Sequence, residues 1–529
     1  MTTEKKLTYV DLLADETIHE AYERAADRIG SGLGRSHPMY IDGSETWADA
    51  EFAVTSPFDT EILVGRFQQG GGDHVRAAIA AARAGLEDWS VKAWRERTAV
   101  LRETADRLDD QKFLLSALVT YECGKNRYEA LAEVSEAVDL IRYYADVYEK
   151  NGGYIVPMSP ESPGAECRSV MRPHGVWAVI SPFNFPLALA AGMAGAALVT
   201  GNTVVLKPTS TAPCSALKLY EACIAGGVPP GAVQFITGPG SVFGEIIVSH
   251  PDIDGIAFTG SRDVGMWLEQ TFTARQPYPK PVISEMGSKN PVIVTVHADL
   301  GKAVEGVVKA AFGFSGQKCS ATSRVYVQEP VFSAFLDQLT GQTRALVIGD
   351  PRKKATDISP VIGPGAVQTY RDAIDEVRSA GGAVLTGGRV LSEGDYARGY
   401  YVEPAVVTGL PRDHPLVKRE LFVPLVIVDS FTTLDEALRE ANATDYGLTA
   451  GIFSEDEGEI AQFFSAIQFG VTYANRQGGA TTGAWPGSQS FGGWKASGST
   501  GRGVGGPYYL LNYLREQAQT RIHTVPRKP

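Results

Sequence analysis

The sequence predicts an α/β protein built on doubly wound, mostly parallel sheets, and three observations carry that expectation. From Gly175 onward, short apolar runs alternate with helical segments, the order in which strands and crossover helices build a sheet covered on both faces. One run, Thr203-Val204-Val205-Leu206, is continuous rather than alternating, as suits a strand buried on both sides. A second alternating series starts near Pro291. The 529 residues therefore allow two or three domains, each large enough to bury its own core.

Taken in order, residues 73–148 are rich in Ala, Glu, Arg and Leu at helical spacing and read as a long helical stretch. The first series predicts strands at 176–180, 203–206, 233–236 and 255–258. Helices are expected at 187–199, 212–225, 242–249 and 263–272. The second series predicts strands at 292–296 and 324–327 with helices at 300–312 and 331–346, and continues to about residue 470. Residues 475–506 are dense in Gly, Ser and Thr and read as loop. A loop of that length in a compact enzyme is commonly functional.

Composition narrows the class of partner. Hydrophobic residues at 44% and charged residues at 21% are ordinary globular values. Lys plus Arg number 49 against 61 Asp plus Glu, a net charge of −12, which argues against nucleic acid or an anionic membrane as the main partner. The five cysteines, Cys123, Cys167, Cys214, Cys223 and Cys319, form no CxxC pair and no disulfide framework, so a reducing cytoplasm fits. The first thirty residues lack the apolar core of a signal peptide, and the most apolar window, 187–199, is too short to span a bilayer. The eight histidines show no ligand spacing, so no metal is expected.

Three segments place polar chemistry at the ends of apolar runs. In Ser181-Pro182-Phe183-Asn184-Phe185-Pro186, Asn184 either donates its amide to a developing oxyanion or caps the helix that follows. In the segment from Ile283 to Pro291, Glu285 is either a general base or a solvated acid paired with Lys289. Cys319 sits among small polar residues beside Lys318, a setting for an accessible thiol of lowered pKa. The other four cysteines read as packing. Two glycine-rich turns, Gly238 to Gly244 and Phe258 to Gly265, each follow a strand and open a helix, where backbone N–H groups suit a pyrophosphate. Lys207 ends the 203–206 strand, within reach of a ribose or a phosphate.

Together SPFNFP, GNTVVLKP, FTGSxxVG, EMGxKNP, FGFSGQKCSA, ELFVP and SFGGWKASG, in this order from about Tyr40 onward, resemble the aldehyde dehydrogenase superfamily. The resemblance implies a fold of three parts. These are a Rossmann-like NAD(P)-binding domain (1–150 and 173–290), an α/β catalytic domain (291–475) and a small β oligomerisation flap (151–172 and 507–529), with 476–506 as a substrate-anchor and return segment. It implies Cys319 as nucleophile, Glu285 as base for the hydrolytic water, and an oxyanion hole from Asn184 and the Cys319 backbone N–H. For NAD or NADP it implies Lys207, Ser210, Gly240, Gly260, Ser261 and Gly265 along the dinucleotide, with Glu420 and Phe422 at the nicotinamide end. A homodimer or higher homo-oligomer is expected.

Within the superfamily, YECGKNRYEALAEVSEAVDLIRYYA and AFGFSGQKCSATSR are similar to the Δ1-pyrroline-5-carboxylate dehydrogenases, which oxidise glutamate γ-semialdehyde. That likeness implies a substrate carboxylate held by Ser320, Gly483 and Ala484, and an aliphatic chain flanked by Phe185. The sequence departs from the pattern in four places. A few extra residues precede Gly483, Ser288 and Val423 replace glycines, and Ser210 stands where Glu is common, which opens the site to NADP as well as NAD. The alternatives are a dehydrogenase for another semialdehyde or for an aromatic or aliphatic aldehyde, and, from a different class, a catalytically silent dinucleotide-binding structural protein.

Overall fold

A computed structural model describes residues 16–478 and 486–523, and two seven-stranded sheets organise it. In the first, the strands run Val282–Met286, Gly255–Gly260, Val176–Ser181, Thr203–Pro208 and Val233–Phe235, all parallel. The antiparallel pair Met39–Ile41 and Ser44–Thr46 extends it at one edge. The strands are buried on both faces, as their apolar runs require. Chain order reverses between Val176–Ser181 and Gly255–Gly260, since the next two strands lie on one side of the first and the last two on the other. Such a reversal opens a crevice at the carboxyl ends of the strands, where ligands bind in open α/β sheets.

The 73–148 stretch is not one helix but four: Gly72–Val91, Trp94–Asp110, Lys112–Cys123 and Arg127–Lys150. Capping residues cause the breaks. Gly124 ends the third with a left-handed φ of 77°, and the Asn126 side chain accepts from the Glu129 N–H to start the fourth. The Arg127–Lys150 helix packs on Ala188–Val199, a wholly apolar helix buried at every residue but Leu189. Gly192 and Gly195 let the two approach, because a Cβ there would press on Leu140 and Ile141 at 3.2 Å.

The second sheet runs Ala383–Thr386, Ala405–Thr408, Leu425–Phe431, Thr322–Gln328, Asn290–Val294, Thr449–Phe453 and Val471–Ala474, parallel except at its first edge. A separate antiparallel sheet joins Ile155–Met158, Ala165–Pro173 and Leu514–Ile522. The terminal strand Leu514–Ile522 is exposed along its length apart from Leu514. Within the Gly-rich return segment, expected to be loop, Trp494–Lys495 forms a short strand against Tyr446–Gly447. No helix among the described residues is long and apolar enough to cross a membrane. Cys123, Cys214 and Cys223 are buried as packing residues, whereas Cys167 is half-exposed in the third sheet, 3.7 Å from Thr520 Oγ1.

Candidate active site

The loop after Val176–Ser181 enters the crevice at the strand reversal. Asn184 is buried there, and the following helix begins only at Ala188, with Leu187 as its N-cap residue. Asn184 therefore does not cap that helix, which removes the structural alternative for it. Its neighbours are held from both sides. Phe183 meets the Phe422 ring edge-on at 5.8 Å, and Phe185 lies under the Lys125 ammonium.

Cys319 follows a backbone of unusual shape. Phe314, Ser315 and Gly316 are consecutively left-handed, with φ of 48°, 53° and 68°. Gly316 admits no side chain, because a Cβ would fall 2.5 Å from the Val423 carbonyl oxygen. The Gln317 amide donates to the Phe314 and Pro360 carbonyls and accepts from the Ile362 N–H at 2.7 Å. From the other side, Asn290 Nδ2 donates to the Cys319 carbonyl at 2.7 Å and the Ala321 carbonyl at 2.9 Å, while its Oδ1 accepts from the Thr449 N–H. Asn290 and Gln317 went unassigned in the sequence. The signal for Asn290 was a polar residue opening the otherwise apolar strand Asn290–Val294.

The expected lowering of the Cys319 pKa is not found. Burial pushes the thiol up to about 12, and the carboxylates of Glu420 and Glu285 add to the rise; only the Ser320 N–H opposes it. Lys318 does not help, because its ammonium turns away to a buried ion pair with Glu129. Cys319 therefore rests as a thiol, and any nucleophilic use of it requires a base to take its proton.

Glu285 supplies a group of the right character. It is buried near the end of Val282–Met286, and burial raises its carboxyl to about 8, opposed by one N–H from Gly493 to Oε2 at 3.2 Å. It does not pair with Lys289, which is itself buried and lowered by burial to about 7. The segment around Phe491 to Ser499 covers this strand end: Gly498 pairs with Glu285, Met286 N–H donates to Ser497 O, and Ser499 N–H donates to Ser284 O. The SFGGWKASG motif is thus the roof over Glu285, and the N–H of its second glycine, Gly493, makes the hydrogen bond to the carboxylate.

The residues expected along a dinucleotide line the same crevice edge. Gly240 opens the helix Gly240–Ile247 with nothing within 4 Å of where a Cβ would stand. Ser261 is the N-cap of Arg262–Arg275, and its hydroxyl makes no capping bond. Gly260 and Gly265 serve packing as well, since a Cβ would strike Phe258 or Met286 at 2.5 Å. Lys207, buried at the end of Thr203–Pro208, donates to the Pro208 carbonyl, and burial alone brings it down to about 8. A buried ammonium held only by a carbonyl, beside two open helix N-termini, fits an anionic dinucleotide. Ser210 Oγ donates to the Gly238 carbonyl at 3.2 Å. Glu420 accepts from the Ser288 N–H at 2.9 Å, and a Cβ on Gly287 would lie 1.9 Å from its Oε2. Burial lifts the Glu420 carboxyl to about 7. Ser288 needs only its N–H here, and its hydroxyl accepts from the Leu448 N–H, so the departure from glycine is accommodated. Phe422 adopts a left-handed φ of 60° against Phe183. Ser320 and Phe185 are buried beside the site, while Gly483 and Ala484 lie outside the described residues.

A buried thiol close enough to feel the Glu285 carboxylate, beside a crevice suited to a dinucleotide, is the setting of a dehydrogenase. The chain belongs to the aldehyde dehydrogenase family, which it matches over residues 45–518. It is 36% identical to 1-pyrroline-5-carboxylate dehydrogenase 2 of Bacillus subtilis (strain 168), over 98% of this chain and 99% of that protein. It superposes on a Thermus 1-pyrroline-5-carboxylate dehydrogenase with bound NAD with a TM-score of 0.92, at 32% identity over 96% of this chain and 97% of that one. Proline utilization A (PutA) from Bdellovibrio bacteriovorus gives the same score of 0.92 at 34% identity, over 97% of this chain and 53% of that one.

Proposed function

We propose that the protein oxidises L-glutamate γ-semialdehyde, the open form of Δ1-pyrroline-5-carboxylate, to L-glutamate with NAD or NADP. The observation that supports it most is the full-length likeness to 1-pyrroline-5-carboxylate dehydrogenases, joined to a site with a clamped thiol opposite a base of pKa about 8. A bound nicotinamide cofactor would supply the hydride acceptor. Everything else falls to this chain. Cys319 Sγ adds to the aldehyde carbon after its proton passes to a base, for which Glu285 is matched to neutral pH. The Asn184 amide and the Cys319 N–H hold the oxygen that becomes negative. Loss of hydride leaves a thioester; Glu285, once its first proton has passed to solvent, takes a proton from the attacking water, and that proton returns to the leaving Cys319 thiolate, freeing the acid and the thiol.

Lys207, Gly240 and Ser261 hold the dinucleotide in this reading, and Glu420 and Phe422 hold its nicotinamide end. Ser320, with Gly483 and Ala484, holds the substrate carboxylate. The exposed strand Leu514–Ile522 offers an unpaired edge to a second copy, which supports a homo-oligomer. The test is NAD(P)H formation with Δ1-pyrroline-5-carboxylate, compared with succinic semialdehyde, hexanal and benzaldehyde. A preference of about tenfold or more in kcat/KM for the first, some 1.4 kcal/mol, is the expected result. Preference for another aldehyde overturns the substrate and leaves the mechanism standing.

A further inference from the structure

We propose that the corner between the helices Lys112–Cys123 and Arg127–Lys150 is a positioning clamp for Asn184, with the buried Lys125–Glu133 pair as its working part. The proposal rests on the oxyanion role given to Asn184 above. Asn184 is gripped through its neighbours on either side, and besides the Phe422 ring against Phe183 three of those grips come from this one corner. On the N-terminal side, Cys123 Sγ donates to the Phe183 carbonyl at 3.2 Å. On the C-terminal side, Lys125 Nζ stands 3.3 Å from the Phe185 ring centroid. Two residues further on, Glu133 Oε1 accepts from the N–H groups of Leu187 at 2.9 Å and Ala188 at 3.4 Å. Those amides open the helix Ala188–Val199, which has no side-chain cap of its own, so Glu133 supplies the missing acceptor. Its other oxygen takes the Lys125 ammonium at 2.7 Å, with both side chains fully buried.

The arrangement is a closed circuit. Lys125 presses on the ring after Asn184, Glu133 fixes the turn beyond it, and the ion pair ties the two grips together. A buried ion pair is a poor source of net stability compared with apolar packing of the same shape, so its value here lies in the geometry it specifies. Here that geometry is the aim of one amide, and the rate effect of an oxyanion donor depends on that aim.

The test is a double-mutant cycle. Lys125→Met with Glu133→Gln removes both charges together and leaves neither group buried alone and charged. The expected result is a kcat lowered about tenfold, with the dinucleotide Kd moved by less than about twofold. In an Asn184→Ala background the same pair of substitutions is expected to cost less than about twofold, because the group they aim is gone. An equal loss in both backgrounds, or full kcat in a folded double variant, overturns the clamp. If the neutral pair fails to fold, Glu133→Asp carries the same cycle, keeping the charge and shortening the reach to the 187–188 amides. Full kcat in Asn184→Ala overturns the oxyanion role itself, a failure the cycle separates from failure of the clamp.

Discussion

The loop that carries Cys319 and the turns that face the dinucleotide are both short, glycine-bearing and placed at strand ends, yet they are built in opposite ways. Around Cys319 the polar groups are tied inward. Gln317 binds three backbone groups and Asn290 another three, and the chain before the thiol is left-handed for three residues. At Gly240 and Ser261 the polar groups face outward, with open space at the first and an uncommitted hydroxyl at the second. One region fixes the backbone that carries its thiol, and the other leaves its contacts for a ligand to complete. The lesson is a division of labour: damage to the first is expected in kcat, damage to the second in cofactor affinity.

The largest test of that division is Cys319→Ala. Turnover is expected to fall by at least about 10⁴-fold, while dinucleotide binding, followed by fluorescence titration, moves by less than about twofold. Surviving turnover would remove Cys319 as the nucleophile. Next comes Glu285→Gln, with deacylation slowed by roughly 10²- to 10⁴-fold and a thioester accumulating in the intact-mass spectrum. The wild-type rate is also expected to rise with pH through about 8, because the ionised carboxylate is the form that accepts a proton. The variant loses that rise, and a variant that keeps it shows the limb belongs to another group.

Asn290→Ala sharpens the comparison by loosening the clamped loop without touching the thiol. Each buried carbonyl left unpaired costs about 1–3 kcal/mol, so a lower Tm is expected. A kcat reduced by about 10- to 100-fold is expected with it, at unchanged cofactor KM. A rise in cofactor KM alone would contradict the division. The smallest effect is expected from Ser210→Glu, which places a carboxylate at the end of the second strand of the cofactor sheet. NADP use relative to NAD should fall about tenfold, with kcat on NAD changed by less than about twofold.

Much of this was legible before any coordinates. Asn184, Glu285 and Cys319 stood out because polar side chains at the ends of apolar runs have few other uses, and the crevice brings their segments to one place. The alternation of strand and helix was legible because a sheet buried on both faces writes continuous apolar runs. The 73–148 region was read too smoothly, although Gly124 and Asn126 were the punctuation marks that divide it. The thiol's pKa was read in the wrong direction for a different reason. Adjacency in sequence placed Lys318 beside Cys319, but the lysine answers to Glu129, 189 positions away. Charge at a site depends on where side chains turn, and only the packed fold decides that. Gly493 escaped notice for the same cause, since its contribution to Glu285 is a backbone N–H 208 positions distant.

That roof over Glu285 carries a consequence for synthesis. The strand bearing Glu285 is complete by Met286, whereas the segment that covers it, Phe491 to Ser499, is made much later. A ribosome making this protein releases both seven-stranded sheets' worth of sequence before the last wall of the reaction chamber exists. Contacts of such long sequence separation form late and slowly. In a chain that stops before Phe491 the Glu285 carboxyl loses this cover, and its pKa is expected to fall back toward that of an ordinary glutamate.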